Sequence, residues 1–163
     1  MKKKSTMILA AVLAALGVAV AVLAALNGKA AAAKKQLLGG AAFLIVAGET
    51  EYKVTMEEFL GLEQREFEAN YKKSGKDPQT RVFTGAPFAQ VLRMKGVDPS
   101  QYSSAVFAAS DGYCSALPIA DALDGENCFI VVDQGGDGPF RMILAKDRFS
   151  QRWCKLLTDV HLR

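Results

Sequence analysis

The sequence contains few of the residues from which metal and redox sites are built. Its 163 residues include one histidine, His161, and three cysteines, Cys114, Cys128 and Cys154, with no CxxC motif. A structural zinc site uses several closely spaced Cys or His ligands, and a thioredoxin-like centre needs CxxC. We therefore expect neither site, no bound metal, and a strand or surface role for His161. Each cysteine falls in an apolar or strand-like stretch, so we expect three buried free thiols, the alternative being one disulfide in an exported domain.

Acidic residues are absent from the first part of the chain. All 17 Asp and Glu follow Gly48, whereas four of the 20 Lys and Arg (Lys2, Lys3, Lys4 and Lys29) lie near the start. The rest of the chain therefore holds 16 basic and 17 acidic residues. The basic character belongs to the N-terminal tip, and no nucleic-acid-binding surface is expected.

Charge of either sign is missing from one long stretch. Residues 7–26 form a run of twenty apolar or small residues, and as a helix this run would extend about 30 Å, enough to cross a bilayer. We interpret residues 1–33 as an uncleaved membrane anchor. The positive-inside rule places Lys2–Lys4 in the cytoplasm and residues 34–163 outside, which predicts a single-pass protein of the cell membrane. The alternative is a signal peptide cleaved near residues 30–33, which would release a secreted domain.

The remainder of the chain is predicted to be a linker and one domain. Residues 34–41 form the linker, and residues 42–163 have an ordinary length for one domain with a sizeable core. Strand patterns alternate with turns and short helical patterns, without an internal repeat, which predicts a mixed α+β domain. Strands are expected at 42–46, 52–54, 67–71, 81–83, 105–109, 113–117, 128–132, 140–144 and 153–162, a helical turn at 118–123, and loops at 72–80 and 135–139.

Two local motifs predict a helix start and a tight turn. Thr55 and Glu58 fit a capping box, in which each side chain accepts a hydrogen bond from the other's backbone amide, so a short helix should cover 56–62. Asp111 and Gly112 lie between two strand patterns and predict a hairpin, because glycine readily adopts a positive φ.

A third motif predicts the start of the second helix. The residues of 84–87, Thr-Gly-Ala-Pro, are expected to turn the chain into this helix. Phe88, Val91 and Leu92 then share one helix face. The helix should end near Gly96, since glycine is common at that position.

Four short motifs follow one another along residues 43–163. They are T-G-x-P at Thr84, Gly85 and Pro87, with Leu92; S-D-G-Y at Ser110–Tyr113, with Leu117, Pro118 and Asp121–Leu123; G-P-x-R at Gly138–Arg141; and Trp153 with Lys155. This order resembles the molybdopterin-binding domain of the sulfite oxidase family, and the ordered set is more specific than any one motif. The resemblance implies an α+β fold, a mixed β-sheet domain of the sulfite oxidase molybdopterin-binding type, preceded here by one N-terminal hydrophobic helix.

The resemblance also implies where a cofactor would bind. Three arginines would clamp an anion against a tryptophan ring, since a planar guanidinium suits bidentate contacts and stacking. The alternative is a core tryptophan with surface arginines that pair with Asp137 and Asp147. The implied cofactor-binding residues are Asp111, Tyr113, Arg141, Arg148, Arg152 and Trp153.

One part of the family's catalytic site is missing. In catalytic members a Cys thiolate ligates molybdenum from the segment that precedes T-G-x-P, and a soft metal centre needs such a ligand. Here that segment, residues 67–81, contains no cysteine, and the first cysteine of the chain is Cys114. We therefore expect an extracytoplasmic ligand-binding or interaction module without molybdenum catalysis or a bound cofactor, with a membrane protein as one candidate partner. The alternative is a small molybdopterin-dependent oxidoreductase that works with a membrane redox partner. The sequence determines neither the small-molecule ligand nor any catalytic residue.

Overall fold

The structure, a computed structural model, describes residues 40–72, 77–132 and 139–163. The predicted anchor at residues 7–26 lies outside these ranges, as do most of the predicted linker and parts of the two predicted loops. None of the helices in the described ranges is long and apolar enough to cross a bilayer.

The described chain has more strand than helix. It contains nine strands and three short α-helices, which confirms the mixed, sheet-rich α+β composition. The elements are β1 (Ala42–Ala47), β2 (Thr50–Thr55), α1 (Met56–Leu60), β3 (Arg65–Tyr71), β4 (Gln79–Pro87), α2 (Phe88–Met94), β5 (Ser104–Ala109), β6 (Cys114–Pro118), α3 (Ile119–Leu123), β7 (Cys128–Val132), β8 (Phe140–Leu144) and β9 (Leu157–Leu162).

The strands form a five-stranded sheet in the order β2-β1-β9-β5-β6 and a four-stranded sheet in the order β3-β4-β7-β8. The β1 and β9 strands are parallel, with Leu44 beside Asp159. Because they run in the same direction, the starts of both strands lie at one end of the sheet. We call this end, where the chain leads from Gly40 into β1, the proximal end. The β5–β6 turn lies there too, since Ala109 pairs with Leu157.

Phenylalanine rings join the two sheets and helix α1. Phe140 of β8 makes edge-to-face contacts with Phe43 of β1, at 4.9 Å between centroids, and with Phe59 of α1, at 5.4 Å. All three rings are fully buried. Buried aromatic rings each remove roughly 150–250 Å² from water, and edge-to-face pairs add a favourable electrostatic contribution. This cluster therefore fixes how the sheets pack.

The predicted capping box and hairpin are confirmed. The backbone N–H of Glu58 donates to Thr55 Oγ1 at 3.3 Å, and the N–H of Thr55 donates to Glu58 Oε2 at 2.9 Å. Helix α1 ends at Leu60, two residues earlier than predicted, with Gly61 as its C-cap. Gly112 has a φ of +86° in the β5–β6 turn, as the hairpin requires.

The predicted turn at residues 84–87 is wrong, because these residues complete strand β4. Gly85 lies beside Val131 of β7, and an added Cβ would lie 2.6 Å from Val131 Cγ1 and overlap the carbonyl oxygen of Ile130. Glycine is needed here for the close approach of two strands, not for a turn. The helix prediction after it is correct: the shared face of α2 is buried.

The single strand predicted at residues 153–162 is also wrong in its first part. Strand β9 begins only at Leu157, after a 3-10 turn at Ser150–Arg152. Cys154 instead forms an isolated bridge with Met142 of β8, with N···O distances of 2.8 and 3.1 Å. The chain therefore contacts the four-stranded sheet before it enters the five-stranded one, a crossover that local sequence periodicity cannot reveal.

The three cysteines are free, but they are not all buried. Cys128 and Cys154 are fully buried, whereas Cys114 is exposed. Cys114 begins edge strand β6, in which Ser115 and Leu117 are the buried residues. Because successive strand side chains point to opposite faces, Cys114 lies on the open face of the sheet.

His161 lies in strand β9, in agreement with the prediction. Its side chain is partly exposed, and its Nε2 atom lies 2.6 Å from Asp159 Oδ1. The carboxylate of Asp159 also accepts a hydrogen bond from the hydroxyl of Thr158. The histidine therefore has a local structural partner within its own strand.

Candidate functional site

The β5–β6 turn and the segment before β9 meet at the proximal end. The backbone N–H of Ser110 donates to the carbonyl oxygen of Leu156 at 2.9 Å. The hydroxyl of Tyr113 donates to the carbonyl oxygen of Gln151 at 2.7 Å. Within the turn, the N–H of Tyr113 donates to Asp111 Oδ1 at 3.0 Å, a side-chain-to-backbone bond that favours tight turns. Two segments far apart in the sequence are thereby joined by hydrogen bonds.

Trp153 is fixed on several sides. Its Nε1 donates to the carbonyl oxygen of Leu144 at 3.3 Å. Its ring lies edge-on to Phe83, at 5.4 Å, and 6.0 Å from the ring of Tyr71. Only 3% of the residue is exposed, so it forms a rigid wall and not a mobile surface group. A buried indole whose N–H has a partner is the arrangement expected for tryptophan.

A cleft of about 260 Å³ opens beside Trp153. We call it the hairpin cleft. It brings together three of the six residues implied by the family resemblance, namely Asp111, Tyr113 and Trp153. The other lining residues are Ala109, Ser150, Gln151 and Lys155.

The hairpin cleft combines both signs of charge with aromatic surface. Asp111 provides a carboxylate and Lys155 an ammonium group, while Tyr113 remains 39% exposed. Burial is the main cause that raises the pKa of Tyr113 above its ordinary value. The phenol therefore stays protonated at neutral pH, where its oxygen can accept a hydrogen bond while its proton is held by Gln151. This set of groups suits a small polar ligand.

Two of the implied arginines, Arg148 and Arg152, have partners in the segment that precedes Trp153. The guanidinium of Arg152 is held by both carboxylate oxygens of Asp147, with an Nε–Oδ2 distance of 2.9 Å. This bond is the largest cause that raises the pKa of Arg152. Arg148 lies over the ring of Phe149, at 5.2 Å from its centroid. The pairing of Arg152 with Asp147 is the surface alternative considered above; Asp137 lies outside the described residues.

None of the three implied arginines lines the hairpin cleft, and Arg141 lies at another one. It lines a second cleft of about 440 Å³, together with Leu60, Val82 and Val131. Arg141 is opposite Val131 in the β7–β8 pair, and the pairing within the four-stranded sheet thus decides its position. Its role in binding a cofactor stays a prediction.

The predicted site residues omit four residues that line the hairpin cleft: Ala109, Ser150, Gln151 and Lys155. Lys155 could have been predicted as a lining residue, because it follows Trp153 by two positions and residues two apart in an extended segment lie on the same side. Ser150 and Gln151 had no comparable pattern, since a 3-10 turn places them.

The described residues do not fit a molybdenum centre of the family type. Strand β3 and the start of β4 contain no thiol, as the sequence required. Burial raises the pKa of Cys154 to about 12 and that of Cys128 still further, and both side chains are fully buried, as is typical of structural, unreactive cysteines. Cys114 lies in the other sheet. Within the described ranges, no three His, Cys, Asp or Glu side chains are grouped as a metal site requires.

No family model and no curated protein matches the chain. Solved structures do match, among them the sulfane dehydrogenase SoxCD from Paracoccus pantotrophus, with a TM-score of 0.62 and 13% sequence identity. The match covers 76% of this chain and 38% of that chain, so this chain spans well under half of its neighbour. At such low identity the match shows the fold alone. The domain thus has the fold of one part of a dehydrogenase.

Proposed function

We propose that this protein is a membrane-tethered, extracytoplasmic binding module with the molybdopterin-binding fold of the sulfite oxidase family, and that it does not carry out molybdenum catalysis. The ordered motifs support the family. The match to the sulfane dehydrogenase supports the fold named in this proposal. The tether rests on the apolar run at residues 7–26 and on its length.

The observation that carries the proposal is the set of sulfur donors. The segment that supplies the metal ligand in catalytic members has no cysteine here, and Cys128 and Cys154 are fully buried. A soft metal would therefore lack its thiolate. The domain lacks the thiolate ligand but has the hairpin cleft. Binding is therefore the function that the described residues support best.

The proposed ligand site is the hairpin cleft. Trp153 supplies a rigid wall, the Tyr113 oxygen accepts a hydrogen bond, and Lys155 attracts a negative group while Asp111 orients a donor. With about 260 Å³, the cleft is below the roughly 300–1,000 Å³ of pockets for drug-sized molecules. It therefore suits a small polar ligand, or one polar part of a larger one.

The second candidate is a small oxidoreductase that holds a molybdopterin-type cofactor without a cysteine ligand. One observation favours it: two of the family-like motifs, at residues 110–113 and 153–155, converge in the same cleft. A cofactor held there would contact Lys155 and the backbone of the turn. The missing thiolate is the reason that we rank this candidate second.

Native mass spectrometry with elemental analysis separates the two candidates. The full-length protein would be purified in detergent from cells that make molybdopterin. We expect molybdenum far below one equivalent per chain, as adventitious binding would give. Near-stoichiometric molybdenum with a pterin would contradict the binding-module proposal. A co-purified small molecule that is lost in Lys155→Gln, but retained in the exposed control Lys53→Gln, would assign the ligand to the hairpin cleft.

A further inference from the structure

Three exposed cations surround two aromatic rings beside the hairpin cleft. Lys72 Nζ and the guanidinium of Arg148 lie 5.1 and 5.2 Å from the centre of the Phe149 ring. The guanidinium of Arg81 lies 4.6 Å from the centre of the Tyr71 ring. We call Lys72, Arg81 and Arg148 the cationic patch. Cation–π contacts hold each side chain close to a ring without neutralising its charge.

The described residues include no ion-pair partner for the three patch cations. In the described part of the chain, no ion pair joins Lys72, Arg81 or Arg148 to an acidic side chain. Lys72 and Arg148 flank one ring, so two like charges lie within roughly a Debye length of each other. Like charges at such spacing repel, and an anion that lies between them removes the repulsion.

The rest of the domain has the opposite charge. Residues 40–163 contain 14 basic and 17 acidic residues; without the three patch cations, 11 basic residues face 17 acidic ones. An anionic surface would therefore repel most of the domain and attract the patch. Such a distribution orients a protein as it approaches a charged surface.

The patch also lies near the place where the chain enters the domain. Ser150 is joined to Lys72 through the backbone N–H of Lys72, which donates to Ser150 Oγ at 3.2 Å. The neighbouring Gln151 is hydrogen-bonded to Tyr113 of the turn at the proximal end. The chain from Gly40 enters β1 at this same end. The patch is thus linked by hydrogen bonds to the end of the domain at which β1 starts.

The stretch between the apolar run and β1 is short enough to hold the domain near the run. Fifteen residues, 27–41, separate the apolar run from β1, and a fully extended chain of that length spans about 50 Å. Tethering over such a distance gives effective concentrations on the order of millimolar, so weak contacts are populated.

We propose that the cationic patch docks on the phosphate groups of anionic phospholipids in the bilayer to which the chain is tethered. Docking would turn the proximal end, with the hairpin cleft, toward the membrane surface. The proposal rests on the tether in the proposed function and adds a defined orientation to it. Three separate, exposed cations suit a layer of headgroups better than one enclosed anion, because none of them lines the hairpin cleft.

The single tryptophan of the chain, Trp153, reports on this docking because its ring lies 6.0 Å from the ring of Tyr71, over which Arg81 of the patch lies. The full-length protein would be reconstituted into vesicles of phosphatidylcholine alone or mixed with phosphatidylglycerol, each with a trace of nitroxide-headgroup lipid. We expect stronger quenching of Trp153 with phosphatidylglycerol, lost in about 1 M salt, where the Debye length is about 3 Å.

Charge-removal variants test whether the patch is responsible. Each basic residue near an anionic bilayer contributes roughly a fivefold factor to binding. Lys72→Gln with Arg148→Gln should therefore lower the ratio of docked to undocked protein roughly 25-fold. The matched control, Lys53→Gln with Arg93→Gln, removes the same charge from two other exposed positions and should leave quenching unchanged. Equal quenching in both kinds of vesicle, or an equal loss in the control, would overturn the proposal.

Two further measurements distinguish docking on lipid from the alternative explanations. Carbonate extraction of membranes tests the tether by itself, because a membrane-spanning chain stays in the pellet. If the chain is extracted, the patch is still tested by sedimentation with phosphatidylglycerol vesicles. We then expect co-sedimentation that is lost at high salt and in the patch variant. Inorganic phosphate added without vesicles tests a small-anion site. The membrane proposal would be overturned if native mass spectra showed phosphate bound through the patch and the vesicles showed no preference for anionic lipid. It would also be overturned if the patch cross-linked to an acidic protein whatever the lipid composition.

Discussion

Replacing Gly85 by alanine tests the close contact between strands β4 and β7. Gly85 pairs with Val131, and an added methyl group would lie 2.6 Å from Val131 Cγ1 while also overlapping the carbonyl oxygen of Ile130. A side chain can rotate away from a clash, whereas a carbonyl oxygen in a strand cannot move without shifting its strand. The register of the four-stranded sheet therefore opposes any residue larger than glycine here.

The magnitude follows from two opposing effects. Overpacking a well-packed site costs typically 1–3 kcal/mol, and a backbone obstacle places this one near about 3 kcal/mol. Alanine also restricts the unfolded chain, which stabilises the fold by about 0.4–1 kcal/mol. The net expectation is a loss of about 2 kcal/mol, which lowers the melting temperature by roughly 8 °C for a domain of this size.

The assay is denaturant and thermal unfolding of the full-length protein, followed by circular dichroism. Gly125→Ala is the matched control, because an added Cβ there meets no atom within 4 Å. It should change the free energy of unfolding by less than about 1 kcal/mol, in either direction. Equal stability of Gly85→Ala and Gly125→Ala, with the same denaturant dependence, would refute the argument that β7 closes on Gly85.

Three further predictions concern the turn, one ion pair and the thiols. Gly112→Val should destabilise the protein by about 1–2 kcal/mol, because a β-branched residue is strained at its φ of +86°; an unchanged melting temperature would show that the turn tolerates a side chain. Lys95 hydrogen-bonds Glu58 and lowers the pKa of its carboxyl group in the folded state. The ionised carboxylate therefore stabilises the fold above the unfolded-state pKa of about 4.3. This stabilisation is lost as the pH falls through the lower pKa of the folded state. Lys95→Gln should therefore raise the Glu58 pKa in an NMR titration and reduce the loss of stability on acidification; an unmoved titration curve would contradict this. A thiol reagent should modify Cys114 alone in the native protein and all three cysteines in denaturant, and two fast native thiols would show that the burial is wrong.

Local chemistry in the sequence was sufficient for several elements. The Thr55–Glu58 capping box and the Asp111–Gly112 hairpin depend on hydrogen bonds and dihedral angles within a few residues. No residue from a distant part of the chain takes part in these bonds, so the sequence predicts both elements correctly. The ordered motifs also predicted a sheet-rich fold of an oxidoreductase type, and the fold match to a dehydrogenase agrees with it.

Elements that depend on a distant strand were predicted less well. Residues 84–87 have the turn-like composition Thr-Gly-Ala-Pro, yet they complete a strand because β7 approaches Gly85. Residues 153–156 have strand-like composition, yet they cross between the sheets because Cys154 pairs with Met142. In both places the deciding partner is more than ten positions away along the chain, beyond the reach of local patterns.

The candidate site was also predicted in part by the sequence and decided in part by the tertiary structure. The family resemblance implied one site for Asp111, Tyr113, Trp153 and three arginines; of these six residues, the first three named line one cleft. The sequence by itself also determined what the site lacks, since the absence of cysteine from residues 67–81 requires no coordinates. Tertiary structure alone decided that Arg141 lines a different cleft, that Arg152 is held by Asp147, and that Lys72 and Arg148 share one aromatic ring. Composition and motifs record which groups are available, but strand pairing and packing decide which groups come within a few ångströms of each other.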